Sequence, residues 1–299
     1  MKTITILLSL LLALAIPLGT TQAQQTDPQQ EQEQEQYNAW AKELWQSLDR
    51  RHGSIKLPNG EVTLKVPEDF YYLGPKDAEK VLVEVWGNPP GAGINSQGIL
   101  FPSSVTPFDD ESWAVTIDYE QDGYVSDEDA DSIDYNELLQ QMKEGTAEAS
   151  KEREAQGYGS IELIGWAEPP YYDKATHKLH WAKEVRFDNQ GPNALNYNIR
   201  VLGRKGVLVL NFVADMSQKS LIDTQLDTVM AIADFDTGSR YADFDPSIDK
   251  VAAYGIGALV AGKVAAKLGL LAGCLLLLKK FGVLIAVGFG ALIKFFKRS

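Results

Sequence analysis

Residues 160–214 read SIELIGWAEPPYYDKATHKLHWAKEVRFDNQGPNALNYNIRVLGRKGVLVLNFVA, and this stretch decides the fold. Four runs rich in β-branched and aromatic residues, near 160 to 167, 178 to 187, 194 to 203 and 206 to 214, are separated by short segments carrying Asp, Asn, Gly and Lys. Strands joined by connections too short for a crossover must run antiparallel, so the four form a meander. Along 178–187 one face carries Leu179, Trp181, Lys183, Val185 and Phe187, because side chains alternate across a strand. That face must be covered, and the flanking sequence supplies helices to cover it.

After the meander, helical spacing predicts a helix over 218–233. Before it, a long helix is predicted from Asp129 to Glu154, with Ser126 as its N-cap and acids favoured at its N-terminus. Trp113, Val115, Ile117 and Tyr119 alternate as a half-buried strand, and Gly98–Pro102 reads as a shorter one. Ala78, Val81, Leu82, Val85 and Trp86 follow a helical period that Gly87, Asn88, Pro89 and Pro90 stop. Ile55 and Leu57, then Val62, Leu64 and Val66, alternate about Asn59-Gly60, a strong hairpin signal. Trp40, Leu44, Trp45 and Leu48 predict an amphipathic helix over 38–50. The fold class is α+β, an antiparallel sheet with its meander in the C-terminal half, covered by helices.

The two ends are of another kind. Lys2, an apolar run from Ile4 to Leu18 and small residues at Thr21 and Ala23 read as a secretory signal peptide over 1–23. Residues 24–36, mostly Gln and Glu, read as a solvated tether. The exported α+β domain is assigned to 37–248, and 249–299 to a membrane anchor of one or more transmembrane helices with a basic tail. From Ala252 to Ile293 the only charges are Lys263, Lys267, Lys279 and Lys280. A span over Ala252–Leu278, a crossing between Leu268 and Ile293, and a hairpin of both stretches are the alternatives. Lys294, Lys297 and Arg298 place the C-terminus inside under the positive-inside rule. Ala265, Gly269 and Gly273, spaced four apart, permit self-association in the bilayer. The expected location is the cytoplasmic membrane of a bacterium, with the main domain on the periplasmic side. All 41 acidic residues lie between 24 and 250 with 20 of the 28 basic ones, a formal charge of −21. Such a surface repels phosphate backbones and excludes nucleic acid as a partner. The single cysteine, Cys274, lies in the apolar end, leaving the exported domain without a disulfide or thiol nucleophile.

The strings WGNPP (86–90), ILFP (99–102), DGYV (122–125), IDY (133–135), GWAEPPYYD (165–173), HKLHWAKE (177–184), LNYNIRVLGRKGVLVLN (195–211) and DKVAAYGIGALVAGKVAAK (249–267) resemble those of a bacterial family of membrane-anchored proteins, domain of unknown function 2167. The resemblance covers roughly residues 50–270. It implies an anchored extracytoplasmic domain and supplies no catalytic residue. His180 stands where an aromatic is expected in that family.

Among candidate chemistries, Asp127, Asp129 and Asp131 alternate as in a calcium loop, but the sixth and twelfth places hold Ser132 and Leu138 instead of Gly and Glu. A helix start is the competing reading. His177 falls on the opposite strand face from His180 and Glu184, so these three cannot converge on a metal. No serine elbow, phosphate loop or dinucleotide fingerprint is present, and no cofactor is implied. The informative feature is Lys183 in an apolar row. An Arg204-Lys205 turn sets Asn198 opposite Asn211 and Arg200 opposite Val209. A 188–193 loop sets Lys183 opposite Asn198 and Trp181 opposite Arg200. Lys183, Asn198, Arg200 and Asn211 are therefore either an internal network, closed by Glu162, or the lining of a small polar ligand site. Three functions follow: a non-enzymatic module that binds an envelope partner or ligand or assists assembly, an enzyme using a desolvated Lys183 as nucleophile or base, and a cap on an oligomeric membrane element.

Overall fold

The computed structural model describes residues 28–261 except 89, 92, 156, 158 and 189–191. The expected signal peptide, nearly all of the anchor, Cys274 and the Ala265, Gly269 and Gly273 series lie outside the described residues. Among the described residues no helix is long and apolar enough to cross a membrane. The chain divides into two units, Met1–Ser47 and Leu48–Ser299.

In the first unit, α1 spans Pro28–Ser47. It takes in most of the segment expected as a tether and begins ahead of the expected Asn38. Low hydrophobicity there argues for a solvated coil, but Gln and Glu are also good helix formers, and proline suits a first helical position. Gln34 Nε2 donates to Asn38 Oδ1 one turn on, at 3.0 Å.

The second unit opens with the hairpin β1 (Gly53–Lys56) and β2 (Thr63–Val66). Asn59 Oδ1 accepts the Glu61 N–H at 3.0 Å and Gly60 takes φ +75°, so the Asn-Gly pair makes the turn its chemistry predicts. Then come β3 (Phe70–Leu73), α2 (Pro75–Lys80) running into a π turn over Val81–Val85, β4 (Ser96–Pro102) and β5 (Ala114–Glu120). After α3 (Tyr135–Ala155) follow β6 (Ile161–Asp173), β7 (Lys178–Phe187), β8 (Ala194–Leu202), β9 (Val207–Asp215), α4 (Lys219–Ile232) and α5 (Ile256–Ala261). A seven-stranded antiparallel sheet is ordered β3-β4-β5-β9-β8-β7-β6. The fold is α+β and the meander is β6 to β9.

Four local differences from the sequence reading have physical causes. Strand β3 escaped the alternation test because all four of its residues are buried. Strand β6 continues past 167 through Pro169 and Pro170, which an edge strand with register shifts tolerates. Helix α3 starts at Tyr135 because Asp134 Oδ1 accepts the N–H groups of Asn136 and Glu137, at 2.9 and 3.1 Å, whereas Ser126 accepts only from Glu128. The β7–β8 hairpin pairs Lys183 with Asn196 and Trp181 with Asn198, two residues from the expected register, while Asn198–Asn211 and Arg200–Val209 pair as expected. A two-residue slip keeps every side chain on its face.

The sheet carries an apolar core on each side. One face packs Tyr197, Ile199, Leu210 and Phe212 against Ile222, Val229 and Ile232 of α4 and against the β1–β2 hairpin. The other packs Leu179, Trp181, Val207 and Val209 against Val125, Tyr241 and the buried Ile256, Leu259 and Val260 of α5. Asp129 accepts the Ile256 N–H at 3.0 Å and the Gly257 N–H at 3.4 Å, so a carboxylate sits on the first amides of α5. The folded domain therefore runs through Ala261, past the boundary expected at 248. A bilayer span starting at Ala252 does not agree with this packing, since its first apolar residues are spent on the soluble core.

Candidate ligand-binding site

The face of the sheet that α5 covers changes character along the strands. Beyond the apolar patch of Leu179, Trp181, Val207 and Val209, the same face carries Lys183 on β7, Asn196, Asn198 and Arg200 on β8, Asn211 on β9 and Asp118 on β5. Strand parity sets the β7, β8 and β9 residues on this face, each an even number of positions from an apolar residue of that core, and pairing with Val209 adds Asp118. All four sequence-predicted ligand residues are therefore on one surface. Asn196 joins them as the actual neighbour of Lys183; the i±2 rule applied to Asn198 would have found it.

The internal network is only partly formed. Asn198, 4 % exposed, donates through Nδ2 to the Asn196 carbonyl at 2.8 Å and to Asn196 Oδ1 at 2.9 Å. Arg200 donates through Nη1 to its neighbour's carbonyl at Ile199 and to Asn211 Oδ1, each at 3.0 Å. Its guanidinium carbon lies 5.0 Å from the centre of the Trp181 ring, a cation–π arrangement. These are two separate pairs. Lys183 joins neither, and its ammonium has no hydrogen bond or ion pair among the described residues. Glu162, expected to close the network, pairs with Arg186 instead. Two carboxylates of β5, Glu120 and then Asp118, act on Arg200 from two strands away, and neither forms an ion pair with it.

Electrostatics follow from this geometry. Burial, reinforced by the positive charge of Arg200, pulls the Lys183 ammonium down to about 8. Burial pulls Arg200 down to about 10 against the upward pull of Glu120 and Asp118. Burial also raises the Asp118 carboxyl above its usual range, although Arg200 opposes this. Desolvation dominates all three, the signature of charged groups held without their full complement of partners.

The acidic residues weighed as a calcium loop do not converge. Asp127 accepts the Tyr172 hydroxyl at 2.7 Å, Asp129 caps α5, and Asp131 pairs with Lys174. Each carboxylate turns to a different element, so alternation along the chain does not become a cage. Among the described residues no group of three His, Cys, Asp or Glu side chains is arranged to hold a metal. His177 and His180 do diverge, but His177 lies in the turn before β7 at φ +53°, so the turn and not strand parity separates them. His177 Nδ1 lies 3.2 Å from the Tyr172 hydroxyl and 3.7 Å from Asp127, while His180 Nδ1 lies 3.0 Å from the Tyr197 hydroxyl. The Asp127–Tyr172–His177 cluster, with the Tyr241 ring tilted against His177, was not visible in sequence because Asp127, the 172–177 turn and Tyr241 are far apart along the chain. Burial pushes Asp127 up, but the Tyr172 and Tyr241 hydroxyls outweigh it and hold the carboxyl below its usual range.

The fold is thus an α+β domain whose single large sheet is covered on both faces. Residues 49–290 match the model of the family described as protein of unknown function DUF2167, and the chain belongs to that family. No curated protein matches the chain. Two solved structures are distantly similar. The solution structure of PsbP (CyanoP) from the cyanobacterium Synechocystis sp. PCC 6803 is 12 % identical over 64 % of this chain and 93 % of that one, with a TM-score of 0.35. The Ran-binding protein Mog1p of Saccharomyces cerevisiae is 11 % identical over 67 % of this chain and all of that one, with a TM-score of 0.31.

Proposed function

We propose that this protein is a non-enzymatic binding module of the bacterial envelope. It is exported by residues 1–23 and held on the periplasmic side of the cytoplasmic membrane by its apolar C-terminal segment. The polar half of the sheet face is its ligand or partner surface. One observation carries the binding reading: Lys183 is a half-buried cation with no acceptor among the described residues, beside amides and an arginine that are only partly satisfied. A group of that kind is costly unless something outside the domain supplies its partner. The apolar C-terminal run and the signal-like N-terminus support the placement at the membrane.

The test uses Val213, 41 % exposed on β9 and two residues beyond Asn211 on the same face. A photoreactive residue there, in the full-length chain in intact membranes, is expected to capture a discrete species whose yield collapses in Lys183→Met. Capture that is absent, or equal in both backgrounds, removes the binding reading.

A second reading, an enzyme using Lys183 as nucleophile or base, is supported by the same lowered ammonium, which leaves a neutral amine fraction near neutrality. Such an amine reacts with an acylating reagent ahead of ordinary lysines at pH near 8. Peptide mapping that finds Lys183 unmodified would exclude this reading.

A further inference from the structure

A cavity of about 510 Å³ lies between one face of α3 and the first residues of β6, with Arg186 of β7 in its wall. Strand β6 is the last of the sheet and pairs only with β7. The Asp188 N–H donates to the carbonyl of Ser160, directly opposite, at 3.1 Å. Antiparallel alternation therefore turns the main-chain groups of Ile161, and of Leu163 two residues on, to the open side of the strand. The Ile161 N–H shows that direction, since it donates to Ser150 Oγ of α3 at 2.9 Å, while the Ile161 carbonyl accepts nothing among the described residues. Further along, Pro169, Pro170 and three register shifts break the edge, so 161–163 is the part left able to pair.

The charges of the lining sort themselves. Arg186 pairs with Glu162, and Lys151 with Glu148 at 2.8 Å. That leaves one cation, Lys143, half-buried and without an acceptor among the described residues, and one carboxylate, Glu154, held only by the Ser150 hydroxyl at 3.4 Å. Arg186 adds a buried Nε–H that has no acceptor. Helix α3 runs antiparallel to β6, with Ser150 beside Ile161 and Tyr135 beside Trp166, so Glu154 stands at the Ser160 end of the cavity and Lys143 at the Leu163 end. The two are three turns apart, about 16 Å at about 1.5 Å per residue. An extended chain of about five residues covers that length at about 3.3 Å per residue. Among the described residues no aromatic ring lines the cavity, so a planar base finds no stacking platform.

We infer that this groove binds a short extended peptide with free ends, added along the outer edge of β6 with its terminal ammonium at Glu154 and its terminal carboxylate at Lys143. The Ile161 carbonyl accepts one of its N–H groups, and the peptide runs parallel to β6. The site shares no residue with the sheet-face surface proposed above and does not rest on it.

The experiment immobilises the full-length chain in uncharged detergent and offers it a pool of pentapeptides randomised at every position, with free ends; mass spectrometry reads what is retained. Enriched sequences are resynthesised as the free acid, the C-terminal amide and a backbone N-methylated analogue, and titrated by calorimetry. Retention from the free pool is expected. Affinity is expected to fall roughly tenfold or more on amidation, on N-methylation, and in Lys143→Met, with Glu154→Gln weakening it in the same direction. Both substitutions lie on one helix face and break no ion pair, so thermal unfolding of the variants should match the parent and the loss reads the site. No retained peptide, or an affinity untouched by amidation, by N-methylation or by Lys143→Met, overturns the inference. Acetate that binds through Lys143 while no peptide is retained would leave only a small-anion pocket, and a dimer that Lys143→Met dissociates would give the edge to a second copy; either result overturns it too.

Discussion

Lys183 shows how one residue's environment can be read as a stability statement. Its ammonium titrates at about 8 in the folded domain against the ordinary lysine value of 10.5. Between those two values the unfolded chain holds more protons than the folded one, so stability rises with pH across that window. Below about 8 the folded domain carries the full cost of a desolvated cation. Arg200 begins to titrate at about 10, which limits the clean window to roughly pH 8 to 10. Replacing the side chain by an apolar one of similar length removes the cost, so Lys183→Met is expected to be more stable than the parent at pH 7, by about 1 kcal/mol. The difference should shrink as pH rises from 8 to 10, as measured by denaturant unfolding at each pH. A variant less stable than the parent at pH 7 would show that Lys183 is structural. That lysine was legible in sequence as the odd member of an apolar row. Its lack of a partner was not, because that depends on where Glu162, Asp118 and the asparagines point.

At the scale of elements, α5 is the informative case. Six residues long, it cannot persist by propensity alone and is held by the burial of Ile256, Leu259 and Val260 and by the Asp129 carboxylate at its first amides. Asp129→Ala is expected to cost about 1 kcal/mol, the usual loss for a helix-capping side chain, measured by chemical denaturation of the full chain. The calcium reading makes a different forecast, stability that depends on added calcium and loses that dependence in the variant. Leu259→Ala should cost about 2–5 kcal/mol, as for a buried leucine, whereas a leucine facing lipid would leave the soluble domain's unfolding unchanged. Sequence alone could not separate α5 from a membrane span, because an apolar helix needs cover and the sequence does not say whether protein or lipid provides it. One further element-level constraint is local. Gly98 follows the register shift in β4 at φ +130°, and a Cβ there would lie 2.3 Å from the Tyr72 ring, so only glycine fits that bulge.

For the whole molecule, assigning residues up to Ala261 to the folded domain moves the expected anchor. The remaining apolar stretch, Leu268–Ile293, is broken only by Lys279 and Lys280, and each side of that pair falls short of the roughly 20 residues a helix needs to cross. Under the anchoring proposed above, this stretch is long enough for one crossing and too short for a hairpin. A reporter fused after Ser299 should be active only on the cytoplasmic side, and activity on the periplasmic side would sink the single-crossing reading. Lysines within such a crossing are expensive unless they reach the interface or face another helix. The formal charge of −21 between 24 and 250 makes the two cations on the sheet face, Lys183 and Arg200, stand out.

By itself the sequence determined whatever depends on short-range order: the strands of the meander, the Asn59-Gly60 turn, the face on which Lys183, Asn198, Arg200 and Asn211 lie, and the acidity of the domain. These follow from alternation, turn chemistry and composition, none of which needs a distant partner. The tertiary structure decided the rest. It set Asn196 and not Asn198 beside Lys183, added the fully buried strand β3, sent Asp127, Asp129 and Asp131 to three different partners, and drew Ile256, Leu259 and Val260 into the core. Each of these depends on which segment packs against which, and contacts between residues more than a hundred positions apart, such as Asp129 on the first amides of α5, leave no periodic trace in the chain.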